Sequence, residues 1–123
     1  MQHIPFSWGF IMFDDLFECL EEKYGEEFNW MDIQENETFF LAELDAELNE
    51  SHRLYGKAKA ALAKCVSKDD MLYLLNDDSY AIVHLSYSRS NTVGFPKHIE
   101  FPDLQSALLH IENEFVSEYL QAQ

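Results

Sequence analysis

The chain has 123 residues, 47% of them hydrophobic and 15% aromatic, and a formal charge of −15. That length allows one sizeable core and is short for two, so residues 1–123 read as a single domain. So large a negative charge opposes binding to nucleic acid or anionic lipid, whose phosphates want Lys or Arg, and only eight of these are present. The charge is also regional: the first fifty residues hold fourteen acids against Lys23 alone, about −13 of the total, while the remaining seventy-three hold nine acids and seven bases. A field this one-sided reads as a docking surface for a basic macromolecule, or else as a solvated face kept for solubility. No apolar run approaches the roughly 18–20 residues of a membrane span, and Met1–Phe13 lacks the basic start and small-residue cleavage site of a signal peptide, which predicts a cytoplasmic protein. Cys19 and Cys65 stand far apart, the usage expected of buried thiols in a reducing compartment ahead of a disulfide.

The first element is a helix over 13–24, where Phe13, Leu16, Phe17, Leu20 and Tyr24 recur at helical spacing and Gly25 follows the last turn. Glu18, Glu21 and Glu22 occupy its opposite face, and the link beyond adds Glu26, Glu27 and Asp32 around the aromatic pair Phe28 and Trp30. A second helix is predicted over about 35–49, with Phe40, Leu41, Leu44 and Leu48 as the apolar stripe and Glu43, Glu47 and Glu50 assigned to another. Like charges at that spacing repel by about 0.2–0.5 kcal/mol per pair, which a cationic partner would relieve.

Residues 57–66 are ambiguous: Ala and Lys favour a helix, yet Gly56 precedes them and a strand of about five residues ending at Cys65 fits the neighbours better. Met71–Leu75 and Tyr80–Ser88, separated by the turn signal Asn76-Asp77-Asp78-Ser79, read as a hairpin. In the second strand Ala81, Val83, Leu85 and Tyr87 are the expected core face, with Tyr80, Ile82, His84, Ser86 and Ser88 on the other. Arg89–Gly94 reads as a polar loop, Ile99–Phe101 as a short strand, and Asp103 as the N-cap of a last helix whose buried stripe is Leu104, Leu108, Ile111, Phe115 and Tyr119. The fold class is therefore α+β: two N-terminal helices, a three- or four-stranded antiparallel sheet and one C-terminal helix, the helices packed on one sheet face.

Few constellations carry chemistry. His84 shares a strand face with Ser86 and Ser88 near Asp77 and Asp78, which permits a small-hydrolase reading, but no nucleophile-elbow glycines surround either serine and a half-buried structural histidine is the simpler reading. The pairs Asp69-Asp70 and Asp77-Asp78 lack the alternation and central glycine of a calcium loop and read as turn formers. No HxxxH or CxxC pairing suggests zinc, and the four glycines form no phosphate loop, so no metal, cofactor or catalytic residue is expected. What remains is recognition of a basic protein by carboxylates that stand in for phosphates, with aromatic anchors.

The stretch Cys65-Val-Ser-Lys-Asp-Asp-Met-Leu-Tyr-Leu-Leu, followed by Tyr80-Ala-Ile-Val-His-Leu-Ser-Tyr-Ser, resembles a pattern in small bacterial immunity proteins encoded beside polymorphic toxins, including those of contact-dependent growth inhibition systems. The resemblance spans roughly residues 62–102. It implies a cognate partner, a toxin domain and often a nuclease, whose active site the immunity protein blocks or whose exit it obstructs. The acidic first half has no counterpart in that pattern, so the interface expected there rests on charge: Glu21, Glu22, Glu26, Glu27, Asp32, Glu43 and Glu47 around Trp30 as central anchor, acting by occlusion. The alternative from the same charges is an acidic adaptor or DNA-mimic inhibitor of a nucleic-acid-binding protein, and an open sheet edge would offer strand addition instead.

Overall fold

In the computed structural model, which describes residues 8–87 and 95–121, the chain runs α1 (Trp8–Tyr24), β1 (Trp30–Asp32), α2 (Glu37–Glu47), β2 (Ala58–Cys65), β3 (Asp70–Leu75), β4 (Tyr80–His84), β5 (His98–Phe101) and α3 (Leu104–Gln121). The class is α+β, with one antiparallel sheet whose spatial order β1-β2-β3-β4-β5 follows the sequence. Five strands replace the three or four expected. The additional one, β1, lies between the two helices that were expected to be consecutive, and its three residues are too few to show an alternation. It exists because tertiary pairing makes it: Trp30 sits opposite Cys65 and Asp32 opposite Ala63, while the Val66 N–H donates to the Asn29 carbonyl and the Ile33 N–H to the Leu62 carbonyl.

The helices cover both sheet faces, not one. Phe13, Phe17 and Leu20 of α1 and Leu104, Leu108 and Ile111 of α3 pack on Leu62, Leu72, Tyr80 and Ile82. On the opposite face Phe40 and Leu44 of α2, with Leu48 and Leu54 beyond it, pack on Ala61, Met71, Tyr73, Ala81 and Val83. The one-sided reading of residues 80–88 is corrected accordingly, since Tyr80 and Ile82 are buried as well as Ala81 and Val83. A sheet enclosed on both sides needs apolar residues at successive positions, and the period-two signal fades. The ambiguous 57–66 segment is a strand of eight residues. Its alanines suit that place, because small side chains let helices approach closely from either side. Two register shifts in the β2–β3 pairing put Leu62 and Ala63 in the same core.

Local signals set the element ends. Gly25 takes φ +63° behind α1, a conformation an L side chain resists. Asp103 caps α3, its carboxylate accepting the Ser106 N–H at 2.8 Å. Asp77 closes the β3–β4 turn by accepting the Ser79 N–H at 3.0 Å. The connection 48–57 is held across the sheet toward β5 by His52, whose Nε2 meets the Pro96 carbonyl at 3.0 Å, and by an Arg53–Glu100 ion pair. α1 starts earlier and α2 is shorter than expected, β4 stops at His84, and Ser88 and the loop assigned to 89–94 lie outside the described residues.

Candidate interaction surface

Once Phe13, Phe17 and Leu20 turn α1 toward the sheet, 100° per residue sends Asp14, Asp15, Glu18, Glu21 and Glu22 outward, and all five are exposed. Glu26 and Glu27 continue the exposed acidic run on a 3-10 turn over Gly25–Glu27, and Asp32 is exposed on β1. Partial burial, then the negative charges of Asp32 and Glu18, push the Glu21 carboxyl above its ordinary pKa, so residues of α1 and β1 share one field. Lys23, the lone base of the first fifty residues, is engaged elsewhere. Its ammonium donates to Glu112 Oε2 of α3 at 2.8 Å, and the Tyr24 hydroxyl donates to the same oxygen at 2.6 Å. These bonds, Lys23's first, hold Glu112 below the usual carboxylate range.

Glu21, Glu22, Glu26, Glu27 and Asp32 therefore belong to one exposed acidic region. The other three expected contact residues do not join it. Trp30 is 4% exposed and packs in the α1/α3 core, so it anchors β1 to the fold and not a partner to the surface. Glu43 and Glu47 are 8% and 4% exposed, on the inner side of α2 and across the sheet from α1. Their burial follows from where β4 stops. Beyond it the Ser86 and Tyr87 N–H groups need acceptors, and Glu47 supplies them: Oε1 at 2.8 Å to Ser86 N, Oε2 at 2.7 Å to Tyr87 N, with the Ser86 hydroxyl donating at 3.0 Å. Burial, then a hydrogen bond with the Glu43 carboxyl, pushes Glu47 above the ordinary carboxylate pKa, against the lowering effect of the Ser86 and Tyr87 donors. The two acids thus sit side by side inside the molecule. The sequence held a signal for this, since Phe40, Glu43, Leu44 and Glu47 are at i, i+3, i+4 and i+7, one helix face.

His84 is exposed, not half-buried, and its Nδ1 pairs with Asp70 Oδ1 on the adjacent strand at 2.8 Å. The Ser86 hydroxyl donates to Glu47 Oε1 on α2 and not to His84. Asp77 serves its turn, while Asp69 and Asp78 lie 3.5 and 3.6 Å from Lys64 and Lys59. Among the described residues no three His, Cys, Asp or Glu side chains are grouped to hold a metal ion, and no helix is long and apolar enough to cross a membrane. No family model, curated protein or solved structure matches the chain.

Proposed function

We propose that the protein is an immunity protein, which binds a basic toxin domain of nuclease type and neutralises it by covering its active site. The observation that supports this reading is the crowding of exposed carboxylates on α1, the turn behind it and β1, with Lys23 withdrawn into an ion pair toward α3. Carboxylates on a rigid helix present oxygens to Lys and Arg as a phosphate backbone does, and the field they sum to accelerates encounter with a cationic surface. Glu21, Glu22, Glu26, Glu27 and Asp32 are the residues assigned to that contact.

The test asks whether the adjacent upstream reading frame encodes a protein with a basic C-terminal domain, and co-expresses that domain with this chain, followed by association kinetics at several salt concentrations. The expected result is a stable complex whose association slows with salt, and slows by about tenfold in a Glu21→Lys/Glu22→Lys/Glu26→Lys variant of unchanged fold. Failure to form a complex overturns the immunity reading, and a complex indifferent to the three substitutions overturns the assigned surface.

A further inference from the structure

The flank of α1 that faces α3 differs in character from the acidic flank beside β1. Between the two helices runs a groove of ≈ 420 Å³ lined by Leu16, Cys19 and Leu20 of α1 and by Gln105, Leu108 and Leu109 of α3. The Lys23–Glu112 ion pair borders it as well. Leu20 and Leu108 are buried beneath it, whereas Leu109 is 57% exposed and Cys19 is open to solvent. Apolar area left in water in a concave site is what a partner's side chains cover. From Leu16 to Lys23 the α1 wall extends about 10 Å, two helical turns.

The charges beside this groove are lopsided. On the α1 side Asp15, Glu18 and Glu22 are exposed, while on α3 Glu112 is paired with Lys23, Glu114 and Glu118 lie with Lys68, and the exposed Asn113 and Ser117 are uncharged. We infer that the groove receives an amphipathic helix of the basic partner, its apolar stripe lying between α1 and α3 and its lysines or arginines confined to the flank that meets α1. The inference rests on the proposed binding of a basic protein, and adds the surface that makes the contact tight where the wider acidic field only makes it fast. A second copy of this chain fits poorly, because it would bring Asp15, Glu18 and Glu22 of two molecules together.

The exposed Cys19 gives a direct readout, since Cys65 is buried. The full chain is treated with a maleimide in the presence of an 18-residue Leu/Lys peptide whose lysines flank one side of a helical leucine stripe, or of a scrambled peptide of equal composition. The expected result is that the patterned peptide slows Cys19 modification and binds about tenfold more tightly than the scrambled one, an advantage lost in Leu109→Ser. Equal protection by both peptides, or no effect of Leu109→Ser, overturns the inference. So does Cys19 modification that is already slow in the free protein and speeds up either on dilution or on removal of residues 1–7, because the groove is then filled by a second copy or by the chain itself. The upstream toxin domain separates this inference from the function it rests on. A toxin complex that tolerates Leu109→Ser removes the groove and keeps the immunity reading, whereas patterned-peptide binding without any toxin complex keeps the groove and removes that reading.

Discussion

Helices α1 and α2 are both acidic, both carry glutamates three or four residues apart, and they use them in opposite ways. α1 turns its acids to solvent around a conventional apolar stripe. α2 turns Glu43 and Glu47 inward beside Phe40 and Leu44 and leaves Phe39, 57% exposed, on its outer side with Ala42 and Ala46. The difference lies in what each helix meets. α1 packs on apolar side chains of the sheet, whereas α2 also passes over the point where β4 has ended and backbone donors at Ser86 and Tyr87 have lost their ladder. An acidic helix therefore carries its charge to solvent or uses it as an internal strut according to the hydrogen-bonding needs of its neighbour, and charge count alone does not distinguish the two.

Substitutions can break that contrast, and the largest effect is expected on the α1 side's own core. Trp30→Ala should cost about 3–5 kcal/mol in urea unfolding, the range for emptying a large aromatic site. A cost under about 1 kcal/mol would return Trp30 to the surface. Glu47→Ala should follow at about 2–4 kcal/mol, because two backbone N–H groups lose their acceptor, while Glu22→Ala should stay within about 0.5 kcal/mol. Similar values for the two glutamates would erase the distinction between the helices.

Smaller effects sharpen it through pH. Because the folded state holds the Glu47 proton more tightly than the unfolded chain does, this pair's contribution falls as pH rises above the ordinary value of 4.5 and levels off once the pair has titrated. Glu43→Gln keeps a donor toward Glu47 at every pH, so it should flatten that slope and stabilise the protein by about 1 kcal/mol at pH 7.5, read from urea midpoints between pH 4.5 and 8. Glu112 has the opposite sign. Lys23 and Tyr24 depress its pKa, so its contribution is present above the ordinary carboxylate value and is lost as pH falls through the depressed one. Glu112→Gln should cost no more than about 0.5–1 kcal/mol at pH 7, since solvent screens the exposed Lys23.

Much of the fold was legible where local chemistry decides it. Gly25 behind α1, Asp103 before α3 and the Asn76–Ser79 turn each act over one helical turn or one hairpin and lie where the sequence reading put them, and the α3 stripe is buried as expected from Leu104 to Phe115 while Tyr119, also assigned to it, is half-buried. What escaped depends on contacts between distant residues. β1 is made by its partner in 63–65, and the second helical layer is concealed because residues 71–75 and 80–83 are apolar on both faces. The candidate surface divides along the same line. Glu21 and Glu22 were placed outside by α1's clear stripe and Glu26, Glu27 and Asp32 by the polar link that follows it, whereas Glu43 and Glu47 were misplaced because a carboxylate at a core position was read as a second face, with the donors of Ser86 and Tyr87 hidden forty residues away.

The order of the strands carries a mechanical consequence. Neighbours β2, β3 and β4 are joined by short reversals, but β1 reaches β2 only after residues 33–57 have travelled around the sheet margin, built α2 and crossed to the far layer. Closing that long excursion costs more chain entropy than closing a hairpin, and three residues of pairing return little of it. β1 should accordingly close last and be held by the burial of Trp30 more than by its ladder, so Trp30→Ala should speed amide exchange at residues 30–32 before it affects β3.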